Sequence, residues 1–210
     1  MPTLFERALQ PPESHVPYNV SMGMKERMVR FRSFWMFPFF SVMLLILTYR
    51  DGAYSIYGFA GDVAIGLVFW TLLEYFFHRF LLHAEIRNAT LREWISASHI
   101  RHHGAPRDPN QILVLPTFAL VISGVLSGVL LVVTRDLFAS AAILTGIWMG
   151  FLYYEAVHYR VHMSLTNSPI LQQQRRAHFY HHFSNSEECF GVTSPVWDYV
   201  FGTTRKQRAI

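Results

Sequence analysis

The sequence predicts an all-α integral membrane protein: four transmembrane helices, with a histidine-rich dimetal site gathered on one side of the membrane. Three observations predict it. Hydrophobic residues make up 51% of the 210 and charged residues only 15%, where a soluble domain carries about a quarter charged. The apolar residues fall in long runs. Ten of the eleven histidines sit in four tight groups: His78 and His83; His99, His102 and His103; His158 and His162; His178, His181 and His182.

The single cysteine, Cys189, excludes an intramolecular disulfide and also thiolate-rich metal sites such as zinc ribbons and iron–sulfur clusters. A net charge of +4 raises nucleic acid as a partner. Membrane topology accounts for the basic residues better, so no nucleic-acid partner is expected.

Residues 1–32 read as a polar N-terminal arm. Pro11, Pro12 and Pro17 prevent a continuous helix through 10–18, and the one isolated histidine, His15, reads as an exposed loop residue. The stretch Ser21–Arg32 mixes Met, Val and Phe with Lys and Arg. It reads either as an amphipathic helix on the membrane surface or as a flexible basic lead-in. No secretory signal peptide is expected, because the first apolar run starts late and follows acidic, proline-rich sequence.

Four apolar runs follow, over 33–49, about 57–77, about 112–134 and about 137–157. The first is short for the roughly 20 residues a span needs, and Pro38 is a candidate kink. Gly124, Gly128, Gly146 and Gly150, spaced by fours around the third turn, predict close helix packing. With four spans, the arm, the segment 78–111 and the tail share one side. That side holds sixteen Lys and Arg, whereas the opposite loops hold only Arg50 and Arg135. Both termini are therefore expected in the cytoplasm.

The histidine spacing fits this topology. His103 and His158 are 55 residues apart, room for two spans and a turn, so all four groups return to one face. On a helix, positions i, i+3 and i+4 share a face, so H-x-x-H-H at 99–103 and 178–182 presents three imidazoles together. Neutral imidazole is the commonest metal ligand among side chains. One metal cannot use ten, and a two-metal site with six to ten histidines contributing is the natural reading. Iron, copper and zinc all suit imidazole; two irons can activate dioxygen and break an unactivated C–H bond, whereas zinc supplies no electrons. Glu74 precedes His78 by four residues and Glu155 precedes His158 by three. Each is placed to orient an imidazole through its other ring nitrogen, unless it simply snorkels to the interface. Tyr153, Tyr154, Tyr159 and Tyr180 flank the histidines and are weak candidates for a substrate channel, the alternative being interfacial or core tyrosines. Trp197 and Asp198 are expected to lock the tail in place, with Cys189 a small buried residue.

The stretches E-Y-F-F-H-R-F-L-L-H (74–83), H-I-R-H-H-G-A-P-R-D-P (99–109), Y-E-A-V-H-Y-R-V-H (154–162), H-F-Y-H-H-F (178–183) and F-G-V-T-S-P-V-W-D-Y-V-F-G-T (190–203) resemble the fatty acid hydroxylase and sterol desaturase superfamily. More narrowly, they resemble the fatty acid 2-hydroxylases. The resemblance covers about residues 55–204. It implies four transmembrane helices under a cytosolic helical cap, with the ten histidines as ligands of two iron ions; zinc is a possible substitute in a purified sample. It implies a catalytic domain over 33–210 that uses dioxygen to hydroxylate a lipid acyl chain at C2, in a fatty acid or ceramide. It places the chain in a bacterial inner membrane or the endoplasmic reticulum. Fungal and animal members commonly carry a cytochrome b-type domain, and this chain is expected to have none. Electrons are therefore expected from a separate donor, a cytochrome b-type protein or a ferredoxin with its reductase. The rival readings are another oxidation of the same superfamily (desaturase, sterol-type oxidase or carotenoid hydroxylase) and a non-enzymatic metal-binding membrane protein. The scarcity of ionisable residues in the third and fourth runs counts against metal transport.

Overall fold

The computed structural model describes residues 28, 31–49, 55–164 and 168–205, apart from the side chains of 109 and 110. The expected N-terminal arm lies outside the described residues except for Met28, Phe31 and Arg32. Among the described residues the regular elements are helical: α1 (Ser33–Thr48), α2 (Ile56–Phe76) with a π-helical extension (Phe77–Leu82), α3 (Ala89–Ile95), α4 (Ala97–Gly104), α5 (Pro109–Ile112), α6 (Pro116–Thr134), α7 (Leu137–Met163), α8 (Pro169–Phe183) and α9 (Val196–Val200). The described residues divide into two compact units, one within 74–113 and 154–205, the other within 28–73 and 114–153.

Three helical stretches, Ile56–Leu82, Pro116–Thr134 and Leu137–Met163, are long and apolar enough to cross a bilayer. The first expected span is shorter than that. α1 has 16 residues, about 24 Å of helix against a hydrocarbon core of about 30 Å. It continues through Pro38 as one helix. The third run also starts later than expected. Residues 109–112 form the separate turn α5, and α6 opens with Pro116 in its first turn, where the missing N–H costs nothing. α7 outlasts its apolar run and carries both His158 and His162.

In the unit within 28–73 and 114–153, α7 supplies the core. Ala141 to Trp148 are buried without interruption. Phe37 of α1 is fully buried, with its ring 5.2 Å from that of Trp148 and 5.3 Å from that of Phe151. The Trp148 indole donates to Ser123 Oγ at 2.8 Å, and Ser123 in turn donates to the Ala119 carbonyl at 2.7 Å. α6 exposes Val121, Val125, Val129, Val132 and Val133, an apolar surface suited to lipid. Helices α2 and α7 touch backbone to backbone. A methyl on Gly66 would strike the Ile143 carbonyl, and one on Gly146 would strike that of Val63. Gly150 makes room for the Trp70 ring, but a methyl on Gly124 or Gly128 would meet nothing. The four-residue spacing thus marks packing on α7 only, and Gly66, outside the pattern, is the true partner.

The unit containing 74–113 and 154–205 is built from short capped helices. Asn88 accepts from the Leu91 N–H at 3.0 Å to start α3. Ser168 accepts from the Leu171 N–H at the head of α8, where Pro169 takes the first position. These caps satisfy end groups that the short helices cannot satisfy internally.

Candidate metal centre

All ten clustered histidines meet in this unit, in two groups of five. His78, His83, His99, His103 and His181 form group 1; His102, His158, His162, His178 and His182 form group 2. Within each group the potential ligand atoms all lie within 4.8 Å of one another. The groups adjoin, with the His103 and His182 rings stacked at 4.1 Å.

Helical geometry explains the division. At about 100° per residue, i+4 lies about 40° to one side of i and i+3 about 60° to the other. Each H-x-x-H-H trio therefore splits rather than pointing one way. On α4, His99 and His103 join group 1 while His102 joins group 2; on α8, His178 and His182 join group 2 while His181 joins group 1. His158 and His162, one α-turn apart on α7, both enter group 2. His78 and His83 are five apart, which on an α-helix would set them about 140° apart. The π-helical winding of Phe77–Leu82 widens the turn and brings both into group 1.

The spacing of the ring nitrogens fits a cation in each group. His99 Nε2 lies 3.1, 3.0 and 3.0 Å from the Nε2 atoms of His78, His83 and His103. His178 Nε2 lies 3.0, 2.8 and 3.0 Å from those of His158, His162 and His182. One ring nitrogen has a single hydrogen or a single lone pair, so it cannot satisfy three such neighbours by hydrogen bonding. Nitrogens about 2.1 Å from a shared cation and at right angles stand ~3.0 Å apart. The donor set is neutral. Burial holds His83 and His102 at about 4 and His181 at about 3, well below the ordinary imidazole value. Burial and neighbouring imidazoles push His99, His178 and His182 down as well.

Around group 1 the backbone of residues 188–193 sets the ring orientation. His78 donates its Nδ1–H to the Phe190 carbonyl at 2.6 Å, and His181 donates its own to the Glu188 carbonyl at 2.8 Å. A carbonyl only accepts, so both rings carry their proton on Nδ1 and turn a bare Nε2 inward. The intervening Cys189 is buried with φ of 60°. Burial raises its thiol to about 11, so it stays protonated at neutral pH.

Of the two expected carboxylate partners, Glu74 sits differently. Glu74 is buried, but its carboxylate accepts from the N–H groups of Val192 (2.7 Å) and Thr193 (2.8 Å) and from the Thr193 hydroxyl. It holds the loop, and a carbonyl takes the position on His78 that the helical spacing had assigned to Glu74. Glu155 is fully buried on the turn before His158. Of the four tyrosines, Tyr154 is buried and stacks on the His158 ring at 5.4 Å. Tyr180 donates to Glu188 at 3.2 Å with Arg205 over its ring, Tyr159 is half-buried and Tyr153 is exposed. Asp198 does lock the tail. It accepts from the N–H of Phe190 (2.9 Å), that of Gly191 (2.8 Å) and the Thr203 hydroxyl (2.8 Å). The carbonyls of Glu188 and Phe190 carry no sequence signal, since every residue has one.

Comparison with known proteins agrees with this architecture. A family model for fatty acid hydroxylases matches residues 63–203. The chain is 34% identical over 145 residues to a dihydroceramide fatty acyl 2-hydroxylase of Arabidopsis thaliana, covering 67% of this chain and 59% of that protein. It is 30% identical over 149 residues to a ceramide very long chain fatty acid hydroxylase of Saccharomyces cerevisiae, covering 66% and 36%. It is 29% identical over 154 residues to the fatty acid 2-hydroxylase of Rattus norvegicus, covering 72% and 41%. The chain thus spans about two-fifths to three-fifths of the length of these relatives. The visible hydroxylase domain of full-length scs7p shares the fold, with a TM-score of 0.73 at 23% identity over 88% of this chain and 70% of that one. With a histidine-rich centre among membrane-capable helices and the family model matched along two-thirds of its length, the chain belongs to the fatty acid hydroxylase family.

Proposed function

We propose that this protein is a membrane-bound non-haem di-iron monooxygenase that hydroxylates a lipid acyl chain at C2, in a free fatty acid or a ceramide. The observation that carries the reading is the pair of adjoining five-histidine groups in a chain of this family. The C2 position is supported by the Arabidopsis thaliana and Rattus norvegicus relatives, both acyl 2-hydroxylases. Group 1 would hold one iron and group 2 the other; bound there, the pair would supply dioxygen activation and oxidation of an unactivated C–H bond. The overall reaction takes one dioxygen, two electrons and two protons and returns a hydroxyl group and one water. The electrons come from a separate donor protein of cytochrome b or ferredoxin type.

The chain's own residues do the positioning. His78, His158 and His162 lie on the last turns of helices long enough to cross a bilayer, so a lipid need not leave the membrane to reach them. Tyr154, stacked on His158, fixes that ring and excludes water from its face. Low proton affinity keeps the imidazoles outside the spans in the neutral, metal-binding form. The reading includes four spans under a cytosolic cap, α1 being the shorter fourth, and both termini in the cytoplasm.

The test is lipid mass spectrometry on a host that lacks 2-hydroxylated lipids, supplied with a donor system and expressing the protein or its His102→Ala variant. One oxygen gained at C2 by the parent and not by the variant is expected. Two hydrogens lost instead would assign a desaturase.

A further inference from the structure

The two histidine groups are built unequally. Group 1 has a backbone strap. Two carbonyls two residues apart, Glu188 and Phe190, accept from the Nδ1 atoms of His181 and His78. The Phe190 ring lies 5.6, 5.7 and 5.3 Å from the rings of His78, His83 and His181, closing the same side. Group 2 has less support: His158 alone is directed at a backbone carbonyl, that of Ile112, while the Nδ1 atoms of His102, His162, His178 and His182 are buried with no acceptor among the described residues.

The strap is itself clamped along 189–193. Beyond Phe190, Glu74 takes the N–H groups of Val192 and Thr193. Behind it, Asp198 takes those of Phe190 and Gly191. Asp198 is almost fully buried and is braced by the Thr203 hydroxyl, which also meets the Tyr75 hydroxyl at 3.0 Å. The Cys189 N–H donates to the Thr203 carbonyl at 2.7 Å. Gly191 has no room for a side chain, since a methyl there would collide with the Ser194 carbonyl and approach Asp198 Oδ2 at 2.9 Å. Among the described residues both carboxylates bond the strap's backbone rather than an imidazole.

We infer that Glu74 and Asp198 are positioning residues for group 1 alone: by holding the 188–193 strap they fix the tautomer and aim of His78 and His181, so group 1 keeps its metal more tightly than group 2. A hydrogen-bonded Nδ1 makes the opposite nitrogen a stronger and better directed donor, and loss of such a partner costs about 10–100-fold in metal affinity. The inference rests on the proposed metal centre.

The test uses the purified full chain loaded with metal, its metal content read by elemental mass spectrometry across a chelator titration. The parent should release its two ions in two steps, group 2 first. Asp198→Asn, which puts a donor opposite an N–H, and Gly191→Ala, which displaces the strap by sterics alone, should each move the later step to chelator concentrations about 10–100-fold lower. Combining either with His178→Gln, which removes the hub of group 2, should leave a chain that holds no metal firmly. The exposed Glu187→Gln is the control, with both steps unmoved. A general loss of structure would instead release both ions together, and that outcome overturns the inference. So does an unchanged titration in both strap variants, or a shift confined to the earlier step. A parent chain that takes up no metal overturns the metal-centre reading itself, a result distinct from all of these.

Discussion

A single nitrogen in each histidine group shows why the centre suits a cation. At His99 and at His178, one Nε2 faces three others at about 3 Å, a contact that lone pairs alone would make repulsive. The same burial sets a pH dependence for the metal-free chain. His83, His102 and His181 have folded-state values of about 4, 4 and 3, against 6.5 for an ordinary histidine. Below 6.5 the unfolded chain therefore takes up protons that the folded chain refuses, and stability falls with pH until the folded values are reached. Thermal unfolding of the metal-free protein should accordingly show a midpoint that drops as pH falls from about 6.5 to about 4. A midpoint rising on acidification would reverse the sign. The histidine types and spacing were legible in the sequence at this scale; the role of Glu74 was not. Its place one helical turn before His78 pointed to an imidazole, but helical spacing specifies a face, not which neighbour arrives there. The neighbour is a loop more than a hundred residues away, with two N–H groups to satisfy.

Among the elements, the contact of α2 with α7 is the one most exposed to a single methyl. Gly146→Ala forces a Cβ into the Val63 carbonyl and should destabilise the protein by about 1–3 kcal/mol or more. Gly124→Ala, with nothing near it, should stay within about 0.5 kcal/mol of the parent. Denaturant titration in a defined micelle separates the two, and equal effects would contradict the packing. The sequence showed four glycines at one spacing and no means of ranking them, because close approach is a property of two helices together. The π-helical turn was hidden for a related reason. Five residues between His78 and His83 look out of phase for an α-helix, and only the wider winding of 77–82 brings them into one group.

At the scale of the molecule, the centre ties together segments far apart in the chain: α2, α4, α7 and α8 each send imidazoles to it. Binding that favours the folded form stabilises by mass action, about 4 kcal/mol at a thousand times the dissociation constant. Stripping the metal should therefore speed amide hydrogen exchange in α4 and α8. The stretch 141–148 of α7, buried among apolar side chains, should exchange as before. Uniform acceleration along the whole chain would show that the centre supports both compact units. The excess of Lys and Arg expected on the cytoplasmic side gives a further prediction: reporter fusions at either terminus should report the cytoplasm. A reporter exported at one end alone would require an odd number of spans, and reporters exported at both ends would reverse the orientation.

The sequence by itself determined the class of the molecule, the apolar helices, the ten clustered histidines and the family. These depend on composition and local period, which a linear pattern records directly. Tertiary structure decided how the histidines divide into two fives, which glycines touch, and that a backbone strap held by Glu74 and Asp198 orients His78 and His181. Those outcomes depend on which groups meet across long chain separations. Backbone carbonyls and N–H groups, present at nearly every residue, leave no mark in the sequence when they are the groups that meet.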